Sequence, residues 1–258
     1  MVNSMKLYFE LLKYPVFTME HVSQYYDNIE SARSAVKRLI KNGLVVKIRN
    51  NLYTCISGET DAPLANRYQI AGAITPTSCL SHHSAMEYYG ISDQIFYEVY
   101  VSSNTVFRDF EFDGYTFCYV CSKCNEGVET VKYSGGVRIT DKERAVIDSI
   151  KDLDKIAGLE EVTDNIQAVS VLREKHMLAY LEYYDNQFLY QKVGFLLKSQ
   201  QERIGLSNEF FQICQDRIGR SKRYLTKDYN KGKYDTIWRL IVPEQMYYLK
   251  NEGGRHEL

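Results

Sequence analysis

Apolar residues in the first 55 positions recur at helical spacing and are interrupted by turn signals. Met5, Leu7, Tyr8, Leu11 and Leu12 share one helical face, and Pro15 ends this first helix near Tyr14. Thr18 precedes Met19-Glu20-His21-Val22 and is placed to cap a short second helix, with Glu20 favourable at its positive end. Asp27-Asn28 offers a turn, and Ser31 opens a third helix. There Ala32, Ala35, Val36, Leu39 and Ile40 form an apolar stripe, while Arg33, Ser34, Lys37, Arg38 and Lys41 fill the opposite face. Asn42-Gly43 stops the helix in a conformation that glycine tolerates. Residues 44–49 and 52–55 then alternate around Asn50-Asn51, which predicts a β-hairpin with basic residues beside its tip. Three short helices and a basic hairpin predict a winged helix-turn-helix over residues 1–56.

Residues 59–63 are polar and turn-like, which marks a boundary and leaves a body at 63–258. Helical stretches are expected at 64–73 and 77–89, the second ended by Gly90. Strand-like runs follow at 98–101, 107–112, 115–120, 128–133 and 137–139, with Asp113-Gly114 as a hairpin signal. They predict a small, largely antiparallel sheet. Thr140 and Glu143 are spaced as a capping box ahead of a helix that buries Ala145, Val146, Ile147 and Ile150. From 155 to 217 the pattern is helical, with segments at 172–184, 188–199 and 208–217, and two last strands are expected at 223–225 and 236–242. The fold class is α+β: an N-terminal winged helix-turn-helix, then a mixed body with a largely helical C-terminal part, subdivided near 150–160.

Composition adds bounds rather than chemistry. The 258 residues are 45% apolar and 25% charged, ordinary for a globular chain of one large or a few small domains. No run of 18 apolar residues is present, so no membrane span is expected, and Met1 to Lys6 lacks the pattern of a secretory signal. Six cysteines make no dense disulfide framework, so a reducing cytoplasm is expected. The 22 tyrosines suit half-wet cores and interaction surfaces without naming a reaction.

The net charge of −1 conceals an asymmetry. Through residue 55, eight cations (Lys6, Lys13, Arg33, Lys37, Arg38, Lys41, Lys47, Arg49) face four anions (Glu10, Glu20, Asp27, Glu30), a local +4 that leaves −5 for the rest. A solvated helix face would carry similar charges, but helix, helix, basic helix and hairpin in this order favour double-stranded DNA. The third helix fits a major groove about 12 Å wide. Ser31, Arg33, Ser34, Lys37 and Arg38 are candidates for base edges or phosphates, and Lys41, Lys47 and Arg49 for phosphates, with Asn50 and Asn51 at the hairpin tip. No aromatic stacking platform accompanies the basic face, which disfavours RNA.

Other constellations are weaker. Cys118, Cys121 and Cys124 form a C-x2-C-x2-C run, but a structural zinc takes four ligands and no fourth is evident nearby. Adjacent His82 and His83 point about 100° apart on a helix and cannot by themselves share a metal. Capping and pairing with Arg138 or Arg144 account for Glu143 and Asp148. No phosphate loop, nucleophile elbow or zinc-protease motif is present, so neither an enzyme, a cofactor nor a metal is expected. A second basic stretch carries Arg217, Arg220, Lys222, Arg223, Lys227, Lys231 and Lys233 against Asp228 alone, interleaved with Tyr224, Tyr229 and Tyr234. It suits an acidic protein surface or a nucleic-acid backbone, and a solvated loop equally.

The chain resembles a known family in the segments Gly43-Leu44, Arg49-Asn50-Asn51-Leu52-Tyr53, Ser78 to Met86 with Tyr89-Gly90-Ile91, Val99-Tyr100-Val101-Ser102, and Val137 to Asp148. Together, in order along most of the chain, they resemble the AbiEi antitoxins of the bacterial abortive-infection (AbiE, type IV) toxin–antitoxin systems. The resemblance implies a winged helix that represses its own operon and a body that counteracts a nucleotidyltransferase toxin encoded beside it. Where the wing turn of the family usually has Gly, this chain has Asn50-Asn51, and Asn tolerates positive φ. The alternative is a winged-helix regulator whose body senses a ligand or dimerises, with no toxin. Operator, oligomeric state and direct contact with a toxin are not legible in the residues.

Overall fold

The computed structural model describes residues 3–92, 94–156, 158–227 and 232–246. It is mixed α+β, and the chain divides into two compact units, Met1–Leu80 with Phe96–Thr140, and Ser81–Ile95 with everything from Asp141 onward. That division is not the expected one at 59–63. Strand pairing across the predicted linker explains why: Ile56 bridges Pro63, Leu64 N–H donates to Cys55 O at 2.9 Å, and Ala65 N–H donates to Thr54 Oγ1 at 3.1 Å.

The first unit begins with α1 (Ser4–Leu11), α2 (Met19–Ser23), α3 (Ile29–Lys41), β1 (Val45–Arg49) and β2 (Leu52–Cys55). Leu7 and Leu11 of α1, Val22 of α2, the α3 stripe Ala32, Ala35, Val36 and Leu39, and Val45 and Cys55 of the hairpin bury into one cluster around Phe17. Ile40, expected in that stripe, is exposed. At about 100° per residue, a position eight residues on has turned some 80° past the first. α3 starts at Ile29, not Ser31, because Asn28 is the cap and accepts from Ser31 N–H at 2.8 Å. Phe17 and Tyr53 exchange both backbone hydrogen bonds at 2.9 Å, giving β2 a third, one-residue partner too short to show any period.

Next come α4 (Arg67–Ala73) and β3 (Cys79–Leu80); the chain passes through α5 (His82–Tyr88) of the second unit before β4 (Glu98–Ser103), β5 (Phe110–Phe112), β6 (Tyr115–Cys121), β7 (Val128–Thr130) and β8 (Arg138–Thr140). These strands form one six-stranded sheet in the order β5-β6-β4-β3-β8-β7. Pairings alternate antiparallel and parallel along it, so the sheet is mixed rather than largely antiparallel. The predicted helix 77–89 gives way at Cys79–Leu80, both buried, because the sheet centre recruits them between β4 and β8. Asp113 and Gly114 both adopt positive φ, 51° and 78°, as a two-residue hairpin requires. Gly72 is needed for close packing: a Cβ there would lie 2.8 Å from Gly136 O.

The second unit is mainly helical: α5, α6 (Lys142–Lys151), α7 (Gly158–Ala168), α8 (Glu174–Tyr184), α9 (Gln187–Lys198), α10 (Gln201–Ile204) and α11 (Asn208–Arg217). A three-stranded sheet of β9 (Arg223–Tyr224), β10 (Gly232–Asp235) and β11 (Leu240–Pro243) follows, in the order β10-β11-β9. β10 was not expected, since Tyr234 is the one large apolar side chain in its four residues. Every residue from Glu143 to Ile150 on α6 is buried. The cap of α6 is Asp141, which accepts from Arg144 N–H at 2.8 Å, rather than Thr140. Gly194 on α9 faces the buried Trp238, whose ring occupies the space a Cβ would take.

Candidate nucleic-acid interface

The α3 surface is built by contrast with its own core. One side of the helix is locked into the apolar cluster, so the opposite side, with Arg33, Ser34, Lys37, Arg38 and Lys41, is exposed. Gly43 at φ 71° ends the helix, and Leu44 N–H returns to Leu39 O at 3.0 Å, which sets the direction in which β1 leaves. Among the described residues Lys37, Arg38 and Lys41 have no carboxylate partner. Arg33 pairs with Glu30 at 2.6 Å, and Ser31 is half-buried in the first turn. The helix therefore presents three unneutralised cations and one that must first leave a surface pair of small worth.

The hairpin contributes less than expected. Lys47 is exposed opposite Tyr53, and Asn50 is exposed in the turn. Asn51 adopts φ 57°, as the turn demands, but its Oδ1 accepts from Met19 N–H at 3.0 Å and braces the turn against α2. Arg49 is half-buried. A register shift between Lys47 and Arg49 re-aims it, and its guanidinium lies 4.9 Å from the Phe110 ring centre and 5.4 Å from that of Phe107. Its Nη1 is buried without a hydrogen-bond partner, and burial lowers its pKa from the ordinary value. Arg49 thus makes cation–π contacts that tie the hairpin to the sheet.

The described residues of the second basic stretch are spread over several elements. Arg217 ends α11, Arg220 and Lys222 lie in the following loop, and Arg223 and Lys233 sit on β9 and β10, the two outer strands of the small sheet. Lys222 Nζ stacks 4.7 Å over Tyr234, Arg223 lies 5.8 Å over Phe188, and Lys233 is 3.6 Å from Glu244. Lys227 is exposed, and Lys231 lies outside the described residues.

Several of the candidate chemical groups have partners within the fold. Cys118 is half-buried, Cys121 exposed and Cys124 buried. Burial pushes the Cys118 thiol up to about 11. His82 meets Ser81 Oγ at 2.9 Å and Asp152 at 3.4 Å, and His83 meets Glu161 at 2.9 Å. Glu143 pairs with Arg173 at 2.7 Å, not with Arg138, while Arg144 pairs with Asp148 at 2.9 Å as expected.

Sequence reading missed one constellation. Asp141, Glu143 and His176 bring ligand-type atoms within 4.8 Å of one another, the one such group among the described residues. The position of a cation between the carboxylates is taken by Arg173, 3.1 Å from Asp141 and 2.7 Å from Glu143. Tyr180 donates its hydroxyl to Asp141 at 2.6 Å, and burial together with that bond raises its pKa well above the ordinary phenol value. Arg173 and His176 lie 30 to 35 positions along the chain from Asp141 and Glu143, so no local spacing signals the cluster.

No protein-family model matches the chain, and no curated protein does. Among solved structures it is similar to the crystal structure of the RV2827C protein from Mycobacterium tuberculosis, with a TM-score of 0.60 and 14% identity, over 92% of this chain and 89% of that one. At that identity the likeness concerns the fold.

Proposed function

We propose that residues 1–56 are a winged helix that binds promoter DNA through α3 and the hairpin, and that the chain is the repressor and antitoxin of a type IV toxin–antitoxin operon in a bacterial cytoplasm. The observation that carries the DNA half is the exposed trio Lys37, Arg38 and Lys41, without a carboxylate partner among the described residues, on a helix whose other side is fixed in the core. Arg33 and Ser34 share their face, and Lys47 and Asn50 extend it along the hairpin toward the backbone. The antitoxin half rests on the resemblance to AbiEi antitoxins, with a nucleotidyltransferase toxin as its counterpart.

Because Thr54, Cys55 and Ile56 pair with residues 63–65, deleting 1–56 would tear open the first unit. A better separation of roles is Lys37→Ala with Arg38→Ala in the full chain. Repression of a promoter reporter should be lost, while cells expressing the neighbouring nucleotidyltransferase should still be rescued. Retained repression would overturn the DNA half. Failure of the unaltered protein to rescue such cells would overturn the antitoxin half.

A further inference from the structure

The second unit contains a cavity of about 220 Å³ between the end of α6, the start of α9 and Lys227. Lys151, Lys155, Lys192 and Lys227 line it against two carboxylates, Asp152 and Asp154, a formal excess of two positive charges. Asp152 is already engaged by Lys151, by Lys155 at 3.4 Å and by His82 at 3.4 Å. Asp154 accepts the Lys227 backbone N–H at 3.3 Å. Lys192 is the unusual member, at 4% exposure. Among the described residues its ammonium has no carboxylate in ion-pair range. It has the carbonyls of Ile150 and Lys151 at 3.5 Å and the Phe188 ring at 4.6 Å. Those carbonyls are the negative end of α6, at the outer limit of hydrogen-bond distance. Burial lowers the Lys192 pKa and outweighs the opposing pull of the Asp154 and Asp152 carboxylates.

The geometry points to an anion site here, one that takes a small phosphoryl group against Lys192, Lys155 and Lys227. A phosphate monoester carries about −1.5 to −2 at neutral pH, which matches the excess of the lining, whereas a single carboxylate would leave half of it uncompensated. The volume falls below the roughly 300–1,000 Å³ of sites for drug-sized ligands, which excludes a fully enclosed dinucleotide. Phe188 and Leu189 give the cavity an apolar wall for the carbon part of an ester.

The test is calorimetric titration of the full chain with inorganic phosphate and, separately, with glycerol phosphate, at fixed ionic strength against chloride blanks. Saturable binding of either supports the site, and the tighter of the two identifies the free ion or the ester as its ligand. Lys192→Met should weaken binding by at least about tenfold, the loss of one charge-assisted hydrogen bond. Should that variant fail to fold by circular dichroism, Lys227→Glu tests the same site from an exposed position and should weaken binding similarly. No saturable heat with either probe, or a folded variant that binds like the unaltered protein, overturns the proposal.

Discussion

On α3 of the first unit Lys37, Arg38 and Lys41 stand in solvent, whereas α6 of the second unit keeps Glu143, Arg144 and Asp148 buried. Both helices carry several charged residues, yet one uses them as a surface and the other as interior struts. The difference lies in partners. Among the described residues Lys37, Arg38 and Lys41 have no carboxylate partner, so they remain hydrated and available to an anion from outside. Arg144 has Asp148 at 2.9 Å and the rings of Tyr180 and Tyr184 beneath its guanidinium at 5.9 and 5.6 Å, and Tyr184 donates to the same Asp148. Paired on every side, that charge is internal to the fold.

The largest effect should come from breaking the interior side of this contrast. Arg144→Met leaves Asp148 buried without its counter-charge and should cost about 3–5 kcal/mol, read from the urea midpoint. A loss under about 1 kcal/mol would mean that the pair is dispensable. Acid should probe the same interior. Burial alone pushes the Glu143 carboxyl up, but the side-chain and backbone hydrogen bonds of Arg173 outweigh it and hold the pKa below the ordinary value. A lowered folded pKa gives stability that is present above the ordinary carboxylate pKa of about 4.3 and is lost as pH falls through the lowered value. Thermal melts between pH 7 and pH 3 should show that loss, and Arg173→Met should flatten the acid limb. Smaller still is Arg49→Ala, which removes a cation–π contact and should cost about 1 kcal/mol of stability. It should leave the salt dependence of DNA binding unchanged, whereas Lys47→Ala should reduce it. An equal reduction by both would return Arg49 to the phosphate contacts.

The same contrast separates the features that are legible in the sequence from those that are not. The α3 stripe, its cationic reverse, the Gly43 stop and the hairpin turn are local, periodic features, and they were legible to within two residues at the helix start. The body helices α8, α9 and α11 were legible for the same reason. Features set by distant partners were not. Cys79–Leu80 is a strand because β4 and β8 flank it, and the one-residue bridge between Phe17 and Tyr53 has no pattern to read. Arg49 reads as a wing cation until Phe107 and Phe110, some 60 positions on, are seen beneath it. Asp141, Glu143, Arg173 and His176 belong to one cluster only through the packing of α6 on α8.

The most direct measurement is binding of the full chain to duplex DNA of its own promoter as a function of salt. With three to five of Arg33, Lys37, Arg38, Lys41 and Lys47 on phosphates, log K against log salt should fall with a slope of about −3 to −4.5. Lys37→Ala and Arg38→Ala should each weaken binding by about 1–3 kcal/mol if they reach base edges. A slope near zero, or a double variant that binds as tightly as the unaltered chain, would contradict the assignment of α3 as the DNA-reading element.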